Sequence, residues 1–222
     1  MIVGEQKPLE EIWEMVKGHS NLLVLGCNTC VAVCHQGGSK EAGIIASLLR
    51  MKAKTEGVAM EITEAGVERQ CEREFFVPQE QALEGAEAVL STACGIGVQF
   101  IADTWKSRPV YPALNTTFLG GVEEMGSFSE KCQACGSCVL GRTGGICPMS
   151  RCAKRVLNGP CGGSTKGSCE INKDTECAWQ LIVDRLKALG RMDDYETLAP
   201  IQDWSQDRAG GPRTLEREEL KA

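Results

Sequence analysis

The first half of the chain alternates between short apolar runs and longer segments with helical spacing. Four runs, at 22–25, 58–62, 88–91 and 109–114, have the length and composition of buried strands. They recur at intervals of roughly 20 to 35 residues, which is enough for a helix to cross over between consecutive strands. The pattern predicts an α/β domain with a small, mostly parallel sheet and helices on its faces.

Amphipathic helices are predicted between and around these strands. In the clearest, 41–52, apolar residues at spacings of three and four form a predicted buried stripe of Ile44, Ile45, Leu48 and Leu49, with Glu41, Arg50 and Lys52 in solvent. Weaker patterns cover 79–84 and 98–105. Residues 9–16 form a further helix with Ile12, Trp13 and Val16 on one stripe, and residues 177–189 form the last.

Composition changes near residues 118–121, where the alternating pattern gives way to a sequence rich in glycine and cysteine. We therefore predict three parts. Residues 1–120 form the α/β domain, with a sheet of flavodoxin-like or Rossmann-like type. Residues 121–190 form an irregular, cysteine-rich, ferredoxin-like domain that binds metal or clusters and ends in a helix. Residues 191–222 form an extended C-terminal arm.

The chain contains 13 cysteines in 222 residues, an odd count that disulfides alone cannot satisfy. A secreted disulfide scaffold is the alternative, but such scaffolds are short, whereas this chain is 42% hydrophobic and long enough to bury a core. The start of the chain has no signal-peptide pattern, so we expect a cytoplasmic protein.

Charge and hydropathy narrow the range of partners. The formal net charge of −6 offers no basic surface for nucleic acid. No apolar run approaches the roughly 20 residues that a membrane-spanning helix requires. We expect neither a nucleic-acid partner nor a transmembrane segment.

Five cysteines lie upstream, close to predicted strand ends: Cys27, Cys30, Cys34, Cys71 and Cys94. The carboxyl ends of parallel strands meet at one edge of a sheet, where ligands bind. We predict a cofactor site there, in which Cys27, Cys30, Cys71 and Cys94 hold one [4Fe-4S] cluster and Cys34 is an alternate ligand. Two other interpretations are buried cysteines that act as small apolar side chains and a thioredoxin-like pair in the Cys-x-x-Cys segment.

Eight more cysteines form the candidate metal ligands of the second domain: Cys132, Cys135, Cys138, Cys147, Cys152, Cys161, Cys169 and Cys177. Eight thiolates suffice for two centres with four ligands each, either two [4Fe-4S] clusters or one cluster and one zinc ion. Cys132, Cys135 and Cys138 are expected to share a centre with a distant fourth cysteine, and the remaining four to hold the other. A purely structural zinc site is the alternative.

No residue is predicted to be catalytic. The two histidines, His19 and His35, are expected at the surface. A flavin in the first domain stays open because strand-end loops can hold a phosphate, although residues 95–97 form only a fragment of a phosphate-binding fingerprint.

Four segments carry a resemblance to a known family: CNTCVAVC at 27–34, ERQCE at 68–72, ALNTTF at 113–118 and LNGPCGG at 157–163. The chain resembles, from about residue 22 to 189, the small cysteine-rich subunit of bacterial methylenetetrahydrofolate reductase. The Asn-Gly-Pro-Cys-Gly-Gly run is the most specific of these motifs.

The resemblance implies an electron-transfer subunit with two or three [4Fe-4S] clusters, or with zinc replacing one. Its implied partner is the flavin-bearing catalytic subunit, which reduces methylenetetrahydrofolate to methyltetrahydrofolate in the reductive acetyl-CoA pathway of anaerobic bacteria. A ferredoxin, an NADH-oxidising module or a heterodisulfide-reductase-like module would supply the electrons. A structural adaptor that docks the reductase and a thiol redox enzyme are the competing functions.

Overall fold

The computed structural model describes residues 1–205, 207, 211–217 and 219. Its contacts divide the chain into unit 1, Met1–Ser129, and unit 2, Glu130–Ala222. The strands are β1 (Ile2–Gln6), β2 (Asn21–Cys27), β3 (Glu61–Val67), β4 (Ala88–Ser91), β5 (Val110–Pro112), β6 (Leu114–Glu124) and β7 (Ser127–Cys132). The α-helices are α1 (Leu9–Val16), α2 (Cys30–Val33), α3 (Ser39–Glu56), α4 (Glu80–Gly85), α5 (Gly95–Thr104), α6 (Pro148–Arg151), α7 (Ala178–Ala188) and α8 (Asp193–Glu196), with a 3-10 helix at Arg73–Gln79.

Unit 1 contains the predicted parallel sheet, in the strand order β3-β2-β4-β5. Residues 22–25 of β2 are fully buried because helices cover both faces. Leu22 and Val24 pack in the cluster that includes α1 and α3, whereas Leu23 and Leu25 pack with α4 and α5 on the other face. A strand buried on both faces carries apolar side chains at consecutive positions, so its sequence is an unbroken apolar run from which the strand could be predicted.

The helix α1 has the predicted bounds, and its predicted stripe is buried. The stripe predicted for α3 is partly wrong: Ile44 and Leu48 are 49% and 40% exposed, while Glu41 is 8% exposed. Helix α3 instead faces the sheet with Ala42, Ile45, Ala46, Leu49 and Ala53. Alanines let the helix axis approach the sheet closely, so the buried face is rotated away from the larger side chains.

A second sheet, antiparallel and in the order β1-β6-β7, was not predicted. The fourth predicted run divides into β5, which joins the parallel sheet, and β6, which pairs with β1. Strand β6 continues through residues 118–121, the position of the predicted domain boundary, and the contact-based division falls after Ser129. Strand β6 also pairs with β7, and Gly120 allows this close approach because a Cβ there would overlap the carbonyl oxygen of Ser129 in β7.

Unit 2 is mostly irregular, with short helices. Helix α7 confirms the predicted helix at 177–189, and its buried residues Trp179, Ile182 and Leu186 form the apolar cluster of the unit. The predicted arm at 191–222 contains α8, and part of that arm (206, 208–210, 218 and 220–222) lies outside the described residues. Among the described residues, no helix is both long and apolar enough to cross a membrane.

Candidate thiol centres

The upstream cysteines lie where the direction of the sheet connections reverses. From the central strand β2 the chain moves to β3 on one side, then returns to β4 on the other. The crevice between the carboxyl ends of β2 and β4 is therefore a topological switch point, the usual ligand site of open α/β sheets. Cys27 is the last residue of β2, and Cys94 follows β4 as the N-cap residue of α5.

Cys27, Cys71 and Cys94 are close enough to influence one another electrostatically. Burial raises the pKa of the Cys27 thiol, and the neighbouring Cys94 and Cys71 raise it further. Burial also raises the pKa of Cys71, with a further contribution from Cys94. Three of the five upstream thiols therefore lie within electrostatic range of one another at this sheet edge.

Backbone N–H groups already point at one of these sulfur atoms. The amides of Gln70 and Thr29 donate hydrogen bonds to Cys27, and these bonds oppose the rise in its pKa. Hydrogen bonds of this kind stabilise a thiolate, which is the form that binds a metal. At Cys27 they only partly offset the burial that disfavours the thiolate, so the pKa of the thiol remains raised.

Side-chain and backbone bonds fix the loops that carry the thiols. Asn28 Oδ1 accepts from the Ser39 N–H at 2.7 Å and from the Ser39 hydroxyl at 2.9 Å, which ties the loop after Cys27 to the start of α3. The Thr29 hydroxyl donates to the Glu68 carbonyl. On the other side, the Gly95 N–H donates to Thr116 Oγ1 at 2.9 Å. The loops are therefore held in place independently of any ligand.

The remaining two upstream cysteines have different surroundings. Cys34 is 4% exposed, and its thiol is placed to donate to the carbonyl oxygens of Val31 and Gly4, at 3.4 and 3.9 Å. The Cys34 sulfur thus packs among apolar side chains and faces backbone carbonyl oxygens. Cys30 is half-buried and begins α2, three residues after Cys27.

Charge beside Cys71 is balanced locally. Arg69 pairs with Glu68 at 2.8 Å and with Glu72 at 3.3 Å, and its guanidinium lies 4.9 Å from the centre of the Phe75 ring. Glu68, first among several causes, raises the pKa of Arg69, and Cys71 adds to the effect. The positive charge of Arg69 lowers the pKa of the Cys71 thiol and so partly opposes the rise caused by burial.

In unit 2, the segment 132–138 forms a tight turn around the first thiols. The Ala134 N–H donates to Cys132 Sγ at 3.3 Å, and the turn uses positive φ angles at Ala134 (53°) and Gly136 (86°). The Ser137 carbonyl accepts from Cys135 Sγ at 3.7 Å. An N–H aimed at the first sulfur of a Cys-x-x-Cys segment is the arrangement that supports a bound metal.

The fourth cysteine along this segment is tied to the same region. Cys147 is the N-cap residue of α6, and Ser150 in that helix donates to the carbonyl of Lys131 at 2.9 Å. This bond joins α6 to the residue that precedes Cys132. Cys147 is therefore the candidate fourth ligand beside Cys132, Cys135 and Cys138.

Four other thiols line one small cavity of about 20 Å³. They are Cys152, Cys161, Cys169 and Cys177. The loop between the last two folds back on itself, since Cys169 N–H donates to the Thr175 carbonyl at 2.8 Å and Cys177 N–H to the Gly167 carbonyl at 2.7 Å. The sequence led us to expect four cysteines of this domain to share a second centre, and these four line one cavity.

A charged pair adjoins this cavity. Cys161 Sγ lies 3.3 Å from Glu170 Oε1, and Lys154 forms an ion pair with the same carboxylate. A Cβ at Gly163 would overlap Glu170, so this glycine of the Asn-Gly-Pro-Cys-Gly-Gly run makes room for the carboxylate. On the other side, the N–H groups of Asn172 and Ile171 lower the pKa of Cys169.

All 13 cysteines are free thiols. Within the described residues, no group of three or more His, Cys, Asp or Glu side chains is already arranged as a metal-binding set. The donor set nevertheless fits a thiolate-bound metal or cluster, because the thiols gather in small groups and backbone N–H donors face Cys27, Cys132 and Cys169.

Sequence reasoning missed several residues around these thiols. Gln70 and Ser91 are fully buried beside the sheet edge, and Glu170 and Lys154 adjoin the cavity of unit 2. Gln70 lies within the ERQCE segment, but nothing in that segment marks its side chain as buried, and Ser91, Glu170 and Lys154 belong to none of the quoted segments. The structure also contains a cavity of about 380 Å³ against α7, lined by Trp179 and Tyr195 among others, which no sequence pattern predicted.

The fold and the thiols together define a cysteine-rich α/β protein with candidate metal or cluster centres. Residues 111–205 match a family model described as "Methylene-tetrahydrofolate reductase C terminal". The matched segment contains all eight cysteines from Cys132 to Cys177 and is similar to the C-terminal domain of that reductase family, which supports a relation of this chain to the enzyme. Comparison with curated proteins and with solved structures gave no match.

Proposed function

We propose that this chain is the cytoplasmic electron-transfer subunit of a methylenetetrahydrofolate reductase complex. In this proposal, the upstream thiols and those of unit 2 hold iron–sulfur centres, with zinc replacing one of them in unit 2. When bound, such centres supply one-electron transfer, which suits a flavin on a partner subunit that takes up two electrons singly. The flavin-containing catalytic subunit then reduces methylenetetrahydrofolate to methyltetrahydrofolate.

The observation that carries the proposal is the gathering of Cys27, Cys71 and Cys94 at the switch point of the sheet. Structural zinc sites are closed, with four protein ligands in a tetrahedron. These thiols instead line the sheet edge where cofactors of open α/β sheets bind, and Cys71 is exposed. Cys30, half-buried three residues from Cys27, is the fourth proposed ligand.

The family match supports the choice of partner. Its description names the C-terminal part of methylene-tetrahydrofolate reductase, and the match includes the cysteine-rich unit. A polypeptide bearing the flavin is the proposed companion, since it would accept electrons singly from the thiol-bound centres of this chain. A ferredoxin, an NADH-oxidising module or a heterodisulfide-reductase-like module is the proposed donor.

A second function, a metal-held structural adaptor, is favoured by the cavity in unit 2. Its volume of about 20 Å³ is close to the space of one water molecule or ion, so Cys152, Cys161, Cys169 and Cys177 suit a single zinc ion better than a cluster. The two functions are compatible if unit 2 is held by zinc and unit 1 carries the redox centre.

Anaerobic purification with metal, sulfide and flavin analysis tests the proposal. The protein should copurify with a flavin-bearing reductase chain and contain iron and sulfide. Cys94→Ala should lower the iron content by about four atoms per chain, the content of one [4Fe-4S] cluster. Cys34→Ala is the matched control, since its thiol points at carbonyl oxygens, and it should retain full iron.

The outcomes separate the candidates. Iron and sulfide that fall with Cys94→Ala but not with Cys34→Ala support electron transfer. Colourless protein that contains only zinc, yet still binds and supports the reductase, favours the adaptor. Protein free of both metals that remains fully active with its reductase partner would exclude both functions.

A further inference from the structure

Gln70 is an unusual residue to find buried beside the thiols. It is 0% exposed, although a primary amide loses several hydrogen bonds to water when it is buried. It immediately precedes Cys71, in the loop that follows β3. A buried amide requires hydrogen-bond partners within the protein, and the partners of Gln70 lie on two neighbouring strands.

The Gln70 side chain bridges the two central strands. Its Nε2 donates to the Leu25 carbonyl of β2 at 2.9 Å, and its Oε1 accepts from the Ser91 hydroxyl of β4 at 2.6 Å. Ser91 Oγ in turn accepts from the Ala93 N–H at 3.2 Å. One side chain thus joins the loop after β3 to the ends of both β2 and β4.

Each of these connections leads to a cysteine. Leu25 is two residues before Cys27, Ala93 is directly before Cys94, and Gln70 is directly before Cys71. The backbone N–H of Gln70 also donates to the Cys27 sulfur. The Gln70–Ser91 bridge therefore contacts the chain within two residues of all three thiols.

Close packing leaves this bridge little room to move. A Cβ at Gly97 of α5 would lie 2.7 Å from the Cβ of Gln70 and 2.7 Å from the Cβ of Ala93. The helix that begins at Cys94 consequently lies directly against Gln70. Displacing the amide would shift the start of this helix as well as the loop of Cys71.

We propose that Gln70, acting with Ser91, is a positioning residue that holds Cys27, Cys71 and Cys94 within common reach of one metal centre. The inference rests on the proposed thiol centre of unit 1 but not on the identity of its metal or on electron transfer. Both polar atoms of the Gln70 side chain are taken up by Leu25 and Ser91, so its proposed role is to position the thiols rather than to bind the metal. It sets the separation of the three sulfur atoms by fixing the backbone segments that carry them.

Cadmium binding to the full, metal-free chain under anaerobic conditions tests this inference, because Cd²⁺ reports thiolate sites by ultraviolet absorbance whatever the native metal is. Gln70→Met keeps the length of the side chain but removes both hydrogen-bonding groups. We expect Gln70→Met to lower the affinity for one of the bound Cd²⁺ ions by about tenfold or more, the usual effect of losing a group that orients metal ligands. Cys94→Ala should lower the affinity for the same Cd²⁺ ion.

The double variant Gln70→Met/Cys94→Ala assigns the effect to this centre. If both changes act on one site, the double variant should lose no more cadmium affinity than Cys94→Ala alone. The matched control is Gln99→Met, an exposed glutamine on α5 whose side chain donates to the Gly95 carbonyl at 2.9 Å. It should bind cadmium as the unchanged protein does.

Circular dichroism at the binding temperature establishes whether Gln70→Met is folded. If it is not, Ser91→Ala, which removes only the hydroxyl, takes its place in every measurement.

A folded variant with unchanged cadmium binding would overturn the inference, as would additive losses in the double variant. Failure of both variants to fold would make Gln70 a folding residue and would also overturn it. A chain that binds cadmium as expected but contains no iron would count against the proposed electron transfer alone.

Discussion

At the scale of single residues, the cysteines of this chain differ through their neighbours rather than their type. Cys34 is buried and faces carbonyl oxygens, so its sulfur is held as a donor. Cys27 is also buried, but it accepts from the N–H groups of Gln70 and Thr29. Cys169 is partly exposed and has its pKa lowered by the N–H groups of Asn172 and Ile171. The three thiols therefore differ in whether their sulfur faces hydrogen-bond acceptors or donors, and in whether the pKa of the thiol is raised or lowered.

This difference predicts the order of alkylation in the metal-free protein. At pH 8, iodoacetamide should modify Cys169 faster than Cys71, because backbone N–H donors lower the pKa of Cys169 whereas burial raises that of Cys71. The result runs against simple accessibility, since Cys71 is the more exposed of the two. Peptide mass spectrometry over a time course measures both rates.

The comparison contains its own control. As the pH rises and both thiols ionise, the order should shift towards accessibility, and the rate of Cys71 should approach or exceed that of Cys169. Equal rates at pH 8, or faster reaction of Cys71 there, would contradict the prediction.

A second prediction at this scale concerns pH and stability. Glu87 accepts from the Ser20 N–H and hydroxyl, both at 2.8 Å, and lies 3.1 Å from His19 Nδ1. These bonds, the Ser20 N–H first, lower the pKa of Glu87 to about 2. The folded state therefore favours the carboxylate, and the resulting stabilisation is present above the ordinary pKa of 4.5 and is lost as the pH falls towards 2.

Glu87→Gln should lower the Tm at pH 7, and the difference from the unchanged protein should shrink below pH 4.5 and vanish near pH 2. Thermal unfolding followed by circular dichroism from pH 2 to 7 measures it. Glu84→Gln, an exposed glutamate on α4, is the control and should follow the unchanged protein at every pH. A Tm difference that is independent of pH would refute the electrostatic explanation.

At the scale of elements, the site depends on how closely the turn at Gly37 approaches the end of β4. The Gly37 carbonyl accepts from the Cys27 N–H at 2.9 Å and also from the Thr92 hydroxyl. A Cβ at Gly37 would overlap the Thr92 carbonyl oxygen, a backbone atom that cannot move independently of β4. Only glycine allows the loop of Cys27 and the strand that leads to Cys94 to meet in this way.

We expect Gly37→Ala to destabilise the chain by about 1–3 kcal/mol, the usual cost of overpacking a close contact. Urea unfolding measures the change in the free energy of unfolding. Gly18→Ala is the matched control, because a Cβ there has nothing within 4 Å. Similar stabilities for the two variants would mean that the turn moves away from β4 at little cost.

At the scale of the whole molecule, the two units differ in how they are held together. Unit 1 has three hydrophobic clusters around its sheets. In the described part of unit 2, one cluster is built on Trp179, Ile182 and Leu186. A segment with so small a core usually needs disulfides or metal ions for stability, and its cysteines are free thiols.

Metal removal should therefore affect the units unequally. Treatment of the purified protein with a chelator under anaerobic, reducing conditions should increase backbone hydrogen exchange in 130–199, whereas exchange in 21–67 should change only near the thiols. Hydrogen–deuterium exchange with mass spectrometry measures both. Re-adding Zn²⁺ distinguishes the metal, since recovery with zinc alone would identify a structural zinc site in unit 2. Unchanged exchange in unit 2 after complete metal removal would show that its fold does not depend on metal.

Much of unit 1 was predictable from the sequence, because buried parallel strands produce unbroken apolar runs such as 22–25. The strand-end positions of Cys27, Cys71 and Cys94 followed from those runs. The stripe of α3 was predicted incorrectly, since apolar periodicity favoured Ile44 and Leu48, whereas close packing placed alanines against the sheet. The antiparallel sheet was missed because β6 is half-exposed and contains two glycines, which resemble a linker.

The sequence by itself determined the chemistry and much of the parallel sheet: the buried runs of β2 and β4, the number and close spacing of the thiols, and a segment related to methylenetetrahydrofolate reductase. The second predicted strand, 58–62, was displaced, since β3 spans Glu61–Val67. Only the tertiary structure decided which residues meet. Gln70 lies 45 residues from Leu25 and 21 from Ser91, and Cys161 meets Glu170 across a loop. Local periodicity reflects the burial of each residue, but hydrogen bonds between distant segments exist only once the chain has closed its loops, so no spacing in the sequence records them.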